Sequence, residues 1–182
     1  MRHIKIIRSI SLIIAIFLIT SCSNNSAMKP EDFKNKEPRL IIEEYLTGNV
    51  KAWGVLQNRS GKVTRQFSAD LDGTWDGKQL ILKEKFNWDD GEVQNREWII
   101  NKIDENNYEG TAGDVVGKAK GYSYGPAFKF EYVLLVPVKG REMKITFDDW
   151  IFKQDERVAI NRATMTKFGI KVAELTVMFV KD

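Results

Sequence analysis

Four charged side chains sit where the alternation of their strands calls for apolar ones: Arg65, Glu84, Asp149 and Arg162. An isolated charge costs several kcal/mol to bury, so groups placed this way either pair or line a wetted cavity. Two acids and two bases can neutralise one another, or orient the polar head group of a ligand. The competing placement is at strand ends or bulges, where the same residues meet solvent. Other chemistry is narrowed by absences. The chain holds one histidine, His3, and one cysteine, Cys22, both near its start. Ser-His-Asp and Cys-His pairs need a histidine, and zinc sites usually draw on His or Cys. Beyond Cys22, catalysis is left to carboxylates, Lys, Tyr or Arg. The adjacent pairs Asp89-Asp90 and Asp148-Asp149 are not ready acid/base dyads, because neighbouring strand residues face opposite ways. Asp89-Asp90-Gly91 reads as a hairpin turn. No catalytic residue, metal ligand or cofactor is assigned.

The N-terminus carries its own signal. Arg2, Lys5 and Arg8 frame an apolar run from Ile10 to Ile19, followed by Thr20-Ser21-Cys22. A charged start, a short apolar stretch and small residues form a secretory signal peptide. The run is too short for the roughly 20 residues of a spanning helix. Leu18-Ile19-Thr20-Ser21-Cys22 resembles the lipobox of bacterial lipoproteins. The resemblance implies cleavage after residue 21, lipidation of Cys22 and a membrane anchor. Ser23 stands where an inner-membrane retention signal would have Asp, which by the same resemblance implies the periplasmic face of the outer membrane. The net charge of +3 falls to zero once Arg2, Lys5 and Arg8 leave, since no acid lies among the first 21 residues. A neutral domain is a poor match for nucleic acid.

The remainder of the chain must position the charged candidates. Residues 22–38 read as a lipidated cysteine and a polar, flexible tether. From residue 39 to 182 apolar and polar residues alternate, with turn signals about every ten residues, among them Arg59-Ser60-Gly61, Trp75-Asp76-Gly77 and Lys139-Gly140-Arg141. This predicts one all-β domain: an antiparallel up-and-down barrel or strongly curved sheet of eight to ten strands. Ile41 to Leu46 fits a short helix or the first strand. The glycine-rich run Gly110 to Gly117 lacks the context of a phosphate loop and reads as kinks in a curved sheet.

Parity assigns the inward faces. The odd class is apolar over residues 62–73, the even class over 79–88 and 127–136, and the odd class again over 142–152 and 172–180. Residues 95–103 are ambiguous because Trp98-Ile99-Ile100 is apolar on both faces. Over 157–168 the even class holds Val158, Ile160 and Phe168, and with them Arg162. Antiparallel pairing about the Gln154-Asp155-Glu156 turn brings Asp149 and Arg162 nearly opposite, so they are expected to pair inside. On the outward parity, Val133, Leu135 and Trp150 are candidates for an apolar outer patch.

A set of short motifs runs through the domain in order: Ala52-Trp53-Gly54, Gly73-Thr74-Trp75-Asp76-Gly77, Tyr108-Glu109-Gly110, Asp114-Val115-Val116-Gly117, Phe147-Asp148-Asp149-Trp150 and Asn161-Arg162-Ala163-Thr164-Met165. Together they resemble the domain-of-unknown-function 3833 family of Gram-negative lipoproteins. The resemblance implies an envelope lipoprotein and carries no activity or site residue with it. By architecture the barrel is lipocalin- or calycin-like. Three functions compete. The first is a lipid-anchored barrel binding an apolar or amphipathic small molecule, a lipid among the candidates. The second is a structural or assembly lipoprotein contacting another envelope protein. The third is an enzyme using carboxylates, Tyr or Lys.

Overall fold

The computed structural model describes residues 27–138 and 140–182. Cys22 and the segment 1–21 read as a signal peptide lie outside the described residues. Ten strands follow one another: β1 (Gly48–Asn58), β2 (Val63–Trp75), β3 (Gln79–Trp88), β4 (Val93–Lys102), β5 (Asn107–Thr111), β6 (Ala119–Tyr124), β7 (Ala127–Val138), β8 (Arg141–Lys153), β9 (Val158–Lys167) and β10 (Ile170–Lys181). Each pairs antiparallel with the next, and β1 pairs with β10 to close the barrel. Closure removes the two free edges of an open sheet, although the short β5 and β6 pair with only part of β4 and β7. The expected all-β antiparallel meander is therefore the fold.

The wall is built by alternation. Phe67, Ala69 and Leu71 on β2, Leu80 and Leu82 on β3, Phe128, Phe130, Tyr132 and Leu134 on β7, and Ile145 and Phe147 on β8 are buried inside. On β4 the ambiguity resolves to the even class, with Trp98 and Ile100 buried. On β9 the inward class is odd, not even: Ala159, Asn161 and Ala163 are buried, while Ile160 is exposed.

One end is closed by a short helix, α1 (Ile42–Tyr45). Leu40, Ile42, Tyr45 and Leu46 fill that end of the barrel. The Tyr45 hydroxyl donates to the Arg157 carbonyl at 2.9 Å. The Lys181 ammonium donates to the Glu44, Tyr45 and Thr47 carbonyls, supplying the partners that the last carbonyls of a helix lack.

The stretch read as a solvated tether is partly docked. A 3-10 turn over Pro30–Phe33 sets the Phe33 ring 5.9 Å from Trp150 and 5.5 Å from Phe152 on the outside of β8. Trp150, expected in an open apolar patch, is buried beneath this turn. The other departure is at β5 and β6, the two shortest strands. The chain between them fills the gap in the wall: the Val116 N–H donates to the Val133 carbonyl at 2.8 Å, and the Leu135 N–H to the Asp114 carbonyl at 2.9 Å. The glycine-rich run thus becomes a piece of wall. Gly110 is required there, since a Cβ would stand 2.5 Å from the Phe130 ring. Among the described residues the core draws on 40–179, so the barrel carries its own means of folding.

Candidate functional site

A cavity of about 100 Å³ lies inside the barrel above α1. Its wall is mostly aromatic and aliphatic, with Phe67, Phe86, Trp98, Phe128, Phe130 and Tyr132 prominent. Trp98 lies 5.1 Å from Phe130 and 5.2 Å from Tyr132, ring to ring. Into this apolar wall the strands insert a polar group: Glu84 from β3, Arg96 from β4, Tyr132 from β7, Asp149 from β8 and Asn161 from β9. Register accounts for the neighbours, with Glu84 opposite Arg96 and Tyr132 opposite Phe147, one inward step from Asp149.

Of the four predicted residues, two reach this site. Glu84 and Asp149 line the cavity. Arg65 has the inward parity but stands near the open end of β2. Its guanidinium binds Asp90 and Glu92 of the β3–β4 turn, each at 2.8 Å, and lies over Trp88 at 4.0 Å. Arg162 is on the outside. Its side chain is 62% exposed and it meets Glu174 at 3.1 Å. The expected Asp149–Arg162 pair does not form, because Ala163 stands opposite Asp149 and Arg162 opposite Trp150. A one-residue difference in register puts the side chain on the other face.

Three members escape the sequence pattern. Arg96 is hidden by the ambiguous parity of β4, although pairing about the Asp89-Asp90-Gly91 turn places it opposite Glu84. Tyr132 reads as core. Asn161 sits in a class whose other inward members near it, Ala159 and Ala163, are small, with Met165 its one large apolar residue. Asn161 donates to the Asp149 carboxylate and, at 3.1 Å, to the Trp150 carbonyl. The Tyr132 hydroxyl donates to Asp149 Oδ2 at 2.9 Å.

The charges do not balance. Arg96 grips Asp114 of the β5–β6 segment, with Nη2 2.8 Å and Nε 3.1 Å from Oδ2. Its Nη1 stands 3.9 Å from Glu84 Oε2, beyond hydrogen-bonding reach. Glu84 Oε2 is buried and has no hydrogen-bond partner. Burial pushes the Glu84 carboxyl up to about 7; Arg96 and the Trp98 indole oppose the rise, and Asp149 and Asp114 add to it. Burial likewise pushes Asp149 up to about 6, against the pull of its hydrogen bonds from Asn161 and Tyr132. The Tyr132 hydroxyl is held well above its ordinary value by burial and by Asp149.

Glu43 on α1 is the contrast. Burial alone would raise it, yet it stays below the ordinary carboxylate value because Lys102 and Tyr108 both donate to it. One buried glutamate is fully partnered and closes the barrel floor; the other faces the cavity with an oxygen unused. Among the described residues no group of three or more acidic, His or Cys side chains is arranged to hold a metal ion.

A family model described as "Protein of unknown function (DUF3833)" matches residues 16–181. No curated protein matches the chain in sequence. Among solved structures, the S-type phycobiliprotein lyase CpeS from Guillardia theta is similar at a TM-score of 0.57 and 12% identity, over 77% of this chain and 90% of that one. A protein with unknown function from the DUF3598 family of Nostoc punctiforme is similar at a TM-score of 0.58 and 13% identity, over 81% of this chain and 51% of that one. The chain therefore spans about half that protein's length. At such identities the likeness shows a shared barrel and nothing of its chemistry.

Proposed function

The chain belongs to the DUF3833 family, and from the inside of its barrel we propose that it is a binding module for an apolar or amphipathic small molecule. The observation that carries this reading is Glu84 Oε2, buried, unpartnered and facing an aromatic cavity. An orphaned buried acceptor destabilises a fold by about 1–3 kcal/mol, more when charged. Departures from full satisfaction concentrate where a protein does its work. An apolar pocket with a few convergent polar groups and perturbed carboxyls is the usual form of a small-molecule site.

The barrel's setting, on this proposal, is the Gram-negative envelope, with a lipid on Cys22 holding it to the periplasmic face of the outer membrane. The charged start, apolar run and small residues before Cys22 support this. Replacing Cys22 with Ala should abolish lipid labelling; normal labelling of that variant would overturn the anchor.

Ligand binding is tested by native mass spectrometry of the protein purified without added ligand. The expected result is a population heavier than the chain, stripped to the bare mass by organic extraction. A bare mass throughout, together with no uptake of apolar small molecules offered in excess, would overturn the reading.

A further inference from the structure

The ligand-binding reading leaves open what kind of head group the cavity takes, and the polar cluster has a sign. The charged groups lining the cavity are Glu84, Arg96 and Asp149, with Asp114 behind Arg96. One guanidinium therefore faces three carboxylates. Arg96 is committed: three of its nitrogen–oxygen contacts, at 2.8 to 3.2 Å, go to Asp114. Among the described residues, Asp149 receives hydrogen bonds only from neutral donors, Tyr132 and Asn161. Glu84 Oε2 receives none. The other cation expected inside, Arg162, is on the outer surface with Glu174. Arg65 is spent on Asp90 and Glu92. With its carboxyls ionised the interior is thus short of positive charge by two, a deficit that burial relieves by holding protons on Glu84 and Asp149 and that a bound cation would relieve instead, at a place lined by Phe86, Trp98 and Tyr132.

We propose that the ligand is an organic cation, an amine or ammonium group on an apolar body, whose charged nitrogen sits between Glu84 and Asp149. Carboxylates give a buried cation its counter-charge, and aromatic faces attract it through their quadrupoles. An anionic head group would meet the opposite: two carboxyl groups with no cation in hydrogen-bonding reach and a guanidinium already occupied. A buried like-charge contact of that kind is strongly unfavourable. The volume sets the size. At roughly 10–15 Å³ of such space per water, about 100 Å³ accommodates about seven to ten heavy atoms. Longer bodies would have to extend beyond the cavity.

This inference rests on the ligand-binding reading, and its test separates the two. Residues 27–182 are titrated calorimetrically at pH 7 with octylamine, octanol and octanoate, which share one apolar body and differ in head group. Octylamine should bind about tenfold or more tighter than octanol, and octanoate weakest of the three. Glu84→Gln should weaken octylamine about tenfold while leaving octanol unchanged. Octanoate binding as tightly as octylamine would overturn the proposal while preserving the binding module. So would an octylamine affinity indifferent to Glu84→Gln, provided the variant keeps its melting transition. If none of the three binds, the ligand-binding reading falls and the cation falls with it.

Discussion

Replacing Glu84 with Gln should make the protein more stable at pH 8 relative to wild type than it does at pH 5. The carboxyl titrates at about 7 in the folded barrel and near 4.5 when unfolded. Below about pH 4 it is protonated in both states and has no effect on the balance. As pH rises through 4.5 the unfolded chain gives up the proton first, while burial holds it on in the folded one. Stability therefore declines between about pH 4.5 and 7 and levels off above. At about 1.36 kcal/mol per unit, the full separation is about 3 kcal/mol, most of which falls between pH 5 and pH 8. Gln has nearly the same shape and cannot ionise, so this part of the decline disappears. Asp149, pushed from 3.8 to about 6, adds its own loss with rising pH in both proteins. Urea melts of the two proteins at pH 5 and pH 8, followed by tryptophan fluorescence, measure the difference. A gain for the variant of about 2–3 kcal/mol across that interval is expected. Parallel profiles would mean that Glu84 is hydrated in the folded state and supplies no buried charge to the cavity.

Arg96→Met leaves Asp114 without its cation and removes the nearest positive charge from Glu84 and Asp149. It should cost about 3–5 kcal/mol at pH 8 in denaturant melts, and less at pH 5, where the interior carboxyls take up protons. Arg162→Ala should cost below about 1 kcal/mol, since the residue is exposed and Glu174 keeps Lys171 as a partner; a loss above about 3 kcal/mol would put Arg162 back inside. Phe33→Ala should uncover Trp150, shifting tryptophan emission to the red and lowering stability by about 1–2 kcal/mol, less than a fully buried phenylalanine would cost.

The barrel was legible because most strands announce their inward face with large apolar residues at every second position, as Phe128, Phe130, Tyr132 and Leu134 do on β7. That same signal exposed Glu84 and Asp149 as charges on an apolar face. It failed where size, not polarity, decides the face. On β9 the interior takes Ala159, Asn161 and Ala163, and the bulkier β-branched Val158 and Ile160 point away, so judging the face by its bulky apolar residues selects the wrong class and carries Arg162 inside. On β4 three consecutive apolar residues masked the parity and with it Arg96. Docking of the N-terminal segment rests on one aromatic, Phe33, in a polar run; nothing local marks its partners, Trp150 and Phe152, which lie far along the chain on β8.

A ligand held in the interior must lose its place when that interior is filled, and no other measurement tests the binding module so directly. Ala52 is buried and lines the cavity. Ala52→Phe places a ring into the space, and Ala52→Leu a smaller group should overpacking unfold the first; such insertions typically cost about 1–3 kcal/mol. Calorimetric titration of octylamine into wild type and into whichever variant keeps the β-sheet circular dichroism and a cooperative melt gives the answer. Loss of binding in the filled barrel is the predicted result. Undiminished binding would place the ligand elsewhere on the protein and contradict an interior site.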